Sequence, residues 1–414
     1  MVSAAPPLTA PHVHREAYQL AVDARDPRFD GVFYVAITTT RVYCRPICPS
    51  RLAYDRHRRF FDSAAAAERA GYRPCLRCRP ELAPAPSAGR SLAQRATQRI
   101  AAGALNAHTV AELAAELGVS ERHLRRALER EVGVSPLELA QTHRLLLAKR
   151  LLVDSDLPVT RVAFASGFQS LRRFNAAFRQ QYGMPPTALR RKTAVPARSA
   201  AAPLRLTLAY RPPLAWGALL ESLRAAAIPG VETFDGLRYG RSIRMGEHSG
   251  AIVAEDVPEK HHIAVQITPS LLPVLMPLIA GLRRLFDLDA EPAVVDAHLA
   301  AEGLATQVAR TPGLRVPGAL DGVEVALQLI ASGHHGDPIS EAQLRALRLE
   351  PGGDVDATRN ALVGLGIDEG LATRIVMRAL YWPDAFYTRD RALLARAEAW
   401  RPWRAYAALH LHSR

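Results

Sequence analysis

All four cysteines of this 414-residue chain fall within one short segment, as two close pairs: Cys44 and Cys48 in "RVYCRPICPSR", then Cys75 and Cys78 in "GYRPCLRCRP". Pairs separated by about 25 residues match the layout of a ribbon-type metal site, where Zn2+ takes four thiolates in a tetrahedron. Disulfides within either pair would close very short, strained loops, and the opening "MVSAAPPLTAPHVHRE" has neither the basic start nor the apolar run of a secretory leader. The expectation is one Zn2+ held by Cys44, Cys48, Cys75 and Cys78 in a soluble, cytoplasmic chain. The most apolar run, "ITPSLLPVLMPLIAGL", is too short and too rich in proline to span a bilayer, so no membrane partner is expected.

Net charge is +13 and unevenly placed: residues 1–192 hold 30 Arg and Lys against 16 Asp and Glu, whereas residues 193–414 hold 23 against 24. An arginine-rich composition alone would not leave the second half neutral. A basic first half predicts a polyanionic partner, most simply double-stranded DNA, because each neutralised phosphate releases counterions. Two Pro/Ala/Ser-rich seams, 82–90 and 192–203, read as linkers.

Between the seams, apolar residues recur at helical spacing and one unit occurs twice, the mark of two helix-turn-helix motifs. In the first, Val110, Leu113, Ala114 and Leu117 form a stripe, Gly118 allows the turn and Ser120 can cap the next helix. In the second, "VTRVAFASGFQSLRRFNAAFRQQYG" places Gly167 and Ser170 alike. The second helices present Arg122, His123, Arg125 and Arg126 in one copy, and Gln169, Arg172, Arg173 and Asn175 in the other, as candidates for major-groove and phosphate contacts. The second copy, "ASGFQSLRRFNAAFRQQYGMPP", resembles AraC/XylS-class regulators, which implies that Phe168, Phe174 and Phe178 are core residues and that RNA polymerase is a partner.

With that neighbour, "DGVFYVAITTTRVYCRPICPSR" and "FFDSAAAAERAGYRPCLRCRP" resemble the N-terminal domain of Ada-type alkylation-response proteins. The resemblance implies that Cys44, the first ligand, is also the acceptor that takes a methyl group irreversibly from an Sp methylphosphotriester in DNA. Spacing alone does not choose among the four. Arg45, beside it, is a candidate DNA contact.

Residues 204–414 resemble AlkA-type 3-methyladenine DNA glycosylases, in "YRPP", "IPGVE" and "LRRLFDLDAEP" near the start and in "MRALYWPDAFYTRD" and "AEAWRPWRAYAALHL" near the end. The resemblance implies a helix-hairpin-helix at "LGIDEG", with Gly366 at the DNA backbone, a catalytic aspartate at Asp390, and Trp382 or Tyr387 stacking near a flipped base. Two departures stand out. Asp368 occupies the place of the hairpin's second glycine, and "ASGHHGDPISEAQLRAL" follows "DGVEVALQLI" where the family carries a long pocket-forming helical stretch. Asp390 is then either catalytic or a helix-start residue. Trp400, Trp403 and Tyr406, at helical spacing, read as core.

The expected architecture is multidomain α+β: a small four-cysteine zinc α/β module (11–82), an all-α double helix-turn-helix domain (91–192), an AlkA-like mixed α/β subdomain (204–290) and a shortened helix-hairpin-helix domain (291–414). The expected function is a DNA alkylation sensor that methylates itself and activates transcription of repair genes, with a 3-methyladenine-type DNA glycosylase activity left open for its C-terminal domain. The alternative is a DNA-binding regulator with purely structural zinc and a degenerate, non-catalytic glycosylase-like domain.

Overall fold

The computed structural model describes residues 12–84, 91–193, 203–333, 338–351 and 353–412; most of both expected linkers lies outside them. Contacts divide the chain into two units, one made of residues up to Ala209 with Met245–Gly250 and Gln266–Ala280, the other of Tyr210–Arg244, Ala251–Val265 and Gly281 onward.

The first unit opens with α1 (His12–Asp23) and a four-stranded sheet of β1 (Tyr34–Ile37), β2 (Val42–Cys44), β3 (Arg58–Phe61) and β4 (Arg73–Pro74), in the order β3-β1-β2-β4, with α2 (Ala64–Arg69) between the last two. β1 runs antiparallel to β2 and to β3. β2 and β4 are parallel, Val42 opposite Arg73 and Tyr43 opposite Pro74. That register decides the site: Cys44 ends β2, Cys75 follows β4, and both cysteine pairs therefore emerge from the same end of the sheet. Phe33, Phe60 and the ring of Tyr18 pack beneath it, with Tyr18 stacked on Phe33 at 4.0 Å.

Seven helices follow: α3 (Leu92–Ala101), α4 (Val110–Glu116), α5 (Glu121–Glu131), α6 (Pro136–Asp154), α7 (Val159–Ala165), α8 (Leu171–Tyr182) and α9 (Pro186–Thr193). Hydroxyl caps set their starts: Thr109 accepts from Glu112 N–H, Ser120 from His123 N–H, Ser135 from Glu138 N–H and Ser170 from Arg173 N–H. The turns are made by Gly118 and Gly167, both with positive φ. Over ten residues from their first positions, α5 and α8 have an identical pattern of burial. The repeat read from the sequence is thus a repeat of structure. Phe168, Phe174 and Phe178 are buried and form a chain of ring contacts that ends on Tyr182, as expected of core residues.

A five-stranded sheet, in the order β5-β9-β8-β7-β6, comprises β5 (Leu204–Ala209), β6 (Glu232–Asp235), β7 (Arg238–Met245), β8 (His248–Val257) and β9 (His262–Ile267); α10 (Trp216–Arg224) precedes β6. Within the second unit, β6 and β7 form an antiparallel hairpin. The rest is helical: α11 (Leu275–Leu285), α12 (Pro292–Leu299), α13 (Ala305–Arg310), α14 (Gly322–Gly333), α15 (Glu341–Ala346), α16 (Val355–Gly364), α17 (Glu369–Ala379), α18 (Arg391–Ala397) and α19 (Arg404–His412). Trp400 and Tyr406 are buried and Trp403 packs against the same cluster, which agrees with the core role expected of them. Among the described residues no helix is long and apolar enough to cross a membrane.

Candidate metal centre and DNA-facing helices

The ligand atoms of Cys44, Cys48, Cys75 and Cys78 all lie within 4.8 Å of one another, and all four residues are buried. A tetrahedron with Zn–S near 2.3 Å has sulfur–sulfur edges of about 3.8 Å, inside that limit. Local backbone explains the convergence. Cys48 N–H donates to Arg45 O at 3.1 Å, closing a tight turn, and Cys75 N–H donates to Tyr43 O at 2.9 Å, tying the second pair to β2. Left to themselves, four sulfurs this close cannot all ionise. Hydrogen bonding, first with Cys48 and then with Cys75 and Cys78, pushes the Cys44 thiol up, while the bond from Cys44 pulls Cys48 down. A divalent cation at the centre removes that conflict, so the set fits one Zn2+ held by four thiolates.

The sulfurs differ in their surroundings. The amide of Arg45 donates to Cys78 Sγ and the amide of Arg77 to Cys75 Sγ, each at 3.3 Å. Among the described residues no backbone amide donates to Cys44 Sγ. Arg45 itself is not placed as expected: it is buried, its guanidinium held by both carboxylate oxygens of Asp30 and donating to Cys78 O at 3.1 Å. A cation beside the thiolates is stabilised by folding inward onto a carboxylate, and Arg45 braces the site instead of facing DNA.

On the recognition helices, Arg122, His123 and Arg126 of α5 and Arg172 and Arg173 of α8 are exposed. Arg125 is half-buried and paired with Glu121 at 2.6 Å. Asn175 is half-buried, and Gln169, though exposed, donates from Nε2 to Asn106 O at 3.2 Å. The exposed cations of the two helices are thus free to meet phosphates, whereas Arg125 and Gln169 are partly engaged within the protein.

The metal module and α6 share a polar seam that the sequence reading missed. Thr142 donates to Glu68 Oε2 at 2.7 Å, Tyr43 OH donates to Glu68 Oε1 at 2.9 Å, and wholly buried Lys149 donates to Cys75 O at 2.9 Å and to Glu81 at 2.5 Å. The one signal was compositional: Lys149 is one of three lysines in an arginine-rich chain and sits inside the apolar run "LLLAKRLL".

In the second unit, Gly366 is exposed with φ +86 at the hairpin between α16 and α17. Asp368 caps α17, its Oδ1 accepting from Gly370 N–H at 2.9 Å and Leu371 N–H at 3.2 Å. Asp390 is exposed and caps α18, accepting from Ala392 N–H at 2.8 Å and Leu393 N–H at 3.2 Å. Trp382 is packed between two hydrophobic clusters, and the ring of Tyr387 lies over Gly370, where a Cβ would come within 2.7 Å of it. The first of these two is therefore a core residue rather than an open stacking platform.

Three family models match the chain: the metal binding domain of Ada over residues 17–81, a helix-turn-helix domain over 113–192, and the AlkA N-terminal domain over 205–321, past the expected break at 290. A Mycobacterium tuberculosis protein described as a probable bifunctional transcriptional activator/DNA repair enzyme AlkA is 34% identical over 470 aligned positions, covering 94% of each chain. This chain belongs to the Ada–AlkA family of fused proteins. Other members and relatives match in part. The regulatory protein ada of Salmonella typhimurium is 33% identical, covering 42% of this chain and 48% of that protein, and DNA-3-methyladenine glycosylase 2 of Escherichia coli is 35% identical, covering 30% and 42%. Because 94% of 414 residues is about 390, about 80 of the 470 positions aligned with the mycobacterial Ada–AlkA protein have no counterpart here.

Proposed function

We propose that this protein senses DNA alkylation by taking a methyl group from a DNA methylphosphotriester onto Cys44 and, once methylated, activates transcription of repair genes through its two helix-turn-helix motifs. The observation that carries the reading is a buried four-thiolate centre built into the same unit as a duplicated DNA-binding fold. When bound, the zinc ion supplies sulfur as thiolate at neutral pH. The chain does the rest. The Cys44 sulfur attacks the methyl carbon, an S–C bond forms as the C–O bond breaks, and the electron pair leaves on oxygen, converting a neutral triester into a phosphodiester anion. No separate base is needed. The choice of Cys44 is supported by donors at the other three sulfurs, backbone amides at Cys75 and Cys78 and the Ser50 side chain at Cys48, which draw electron density from them and leave Cys44 the more nucleophilic.

Transfer moves one negative charge from protein to DNA. At a wet interface the lost repulsion against a close phosphate is worth on the order of 1 kcal/mol, several-fold in affinity. The methylated protein thus holds DNA more tightly, and RNA polymerase is the partner through which it acts. The second unit is read as a non-catalytic glycosylase-like domain: Asp368 occupies amides that a phosphate would use, which removes part of the family's grip on DNA, and Trp382 is packed between two hydrophobic clusters instead of standing open as a stacking platform.

The test is mass spectrometry of the Cys44 peptide after incubation with a duplex carrying Sp methylphosphotriesters. A gain of one methyl group, lost in Cys44→Ser, is expected. An unmodified peptide from folded, zinc-loaded protein would leave a regulator with purely structural zinc.

A further inference from the structure

Thr142 and Lys149 stand seven residues apart on α6 and so lie on one face, two turns apart. Each grips a different ligand-bearing strand. Thr142 reaches β2 through Glu68, whose other oxygen accepts from Tyr43, the neighbour of Cys44. Lys149 reaches the end of β4 by donating to Cys75 O. The seam continues at the foot of the helix, where Arg79 makes two hydrogen bonds to Asp154, at 2.8 and 2.6 Å, and pairs with the same Glu81 that Lys149 meets. Elsewhere α6 packs against α7 of the second helix-turn-helix motif and against α3 and α9, which pack in turn against α5 and α8.

Apolar packing would join the two modules at lower cost, since burying an ammonium and a carboxylate is expensive even when both are paired. Hydrogen bonds of fixed direction add something packing lacks: a displacement of β2 or β4 is passed to α6 and not absorbed by sliding. We propose that Thr142 and Lys149 are positioning residues that make the chemical state of Cys44 felt by the recognition helices. This rests on Cys44 being the methyl acceptor. α6 is then the element biased by both sites, the physical requirement for coupling between them.

The experiment compares the full-length zinc-loaded protein with Thr142→Val, Thr142→Ser and Lys149→Met. Each is treated with methylphosphotriester duplex, checked by mass for the Cys44 methyl group, and titrated by fluorescence anisotropy against a duplex enriched from a random pool by the methylated parent. The parent should bind on the order of fivefold more tightly after methylation. Thr142→Val and Lys149→Met should take the methyl group yet gain less than about twofold, and Thr142→Ser, which keeps the hydroxyl, should recover the parent's gain. Amide exchange in α5 and α8 should change on methylation in the parent and in Thr142→Ser alone. A full gain in methylated Thr142→Val overturns the proposal, and this near-isosteric variant carries the test even where Lys149→Met fails to fold. Absence of the methyl group in the parent is a separate failure, that of the acceptor assignment.

Discussion

Glu68 shows how one side chain can be legible by type and opaque by role. As a residue it is half-buried, but desolvation of its carboxyl pushes its pKa up to about 7, against hydrogen bonds from Thr142 and Tyr43 and the charge of Lys149. The folded value lies above the unfolded one, so the stabilisation is complete below the unfolded value of 4.5 and is lost as pH rises through about 7. Glu68→Gln can bond both hydroxyls without ionising. With zinc held constant, chemical denaturation should find the variant's stability flat between about pH 6 and about pH 8.5, while the parent's falls by about 1–2 kcal/mol across that window. A parent curve without slope over that window would contradict it. The metal ligands were readable because chelation demands a residue type at a spacing. Glu68, Lys149 and the inward turn of Arg45 were not, because their roles depend on partners distant in sequence: Glu68 meets Thr142 74 positions away and Arg45 meets Asp30 15 positions away.

At the scale of elements, period and punctuation carried most of the information. The stripes, caps and glycine turns that mark α4–α5 and α7–α8 in the sequence are the ones that form, because each is set by local geometry. The two turn glycines are nevertheless unequal. Nothing lies within 4 Å of a Cβ built on Gly118, whereas one built on Gly167 would meet Asn106 Nδ2 at 2.3 Å, and Asn106 is itself pinned by Arg144 at 2.8 Å. Gly118→Ala should therefore cost about 1 kcal/mol, from its positive φ alone, and Gly167→Ala at least twice that. Equal shifts of the two denaturation midpoints would show that Asn106 yields freely. The hairpin of the second unit was half legible: glycine and aspartate predicted the turn and an altered phosphate site, but not that Asp368 would cap α17 with both available bonds.

At the scale of the molecule, the division at the two seams follows from composition and charge, whereas the shortening of the last part is read from the resemblance, at the stretch that follows "DGVEVALQLI". Single-turnover release of 3-methyladenine or hypoxanthine from duplex DNA should stay at background in the parent and in Asp390→Asn alike; release that Asp390→Asn abolishes would make this a working sensor-and-excision fusion. The confinement of every cysteine to one centre has a practical side. With no sulfhydryl anywhere else in the chain, a dye that labels thiols has a single destination, so its uptake doubles as a gauge of metal occupancy. The same economy leaves the protein no spare thiol: under the proposed chemistry an alkylated molecule is replaced by synthesis and not regenerated by exchange within itself.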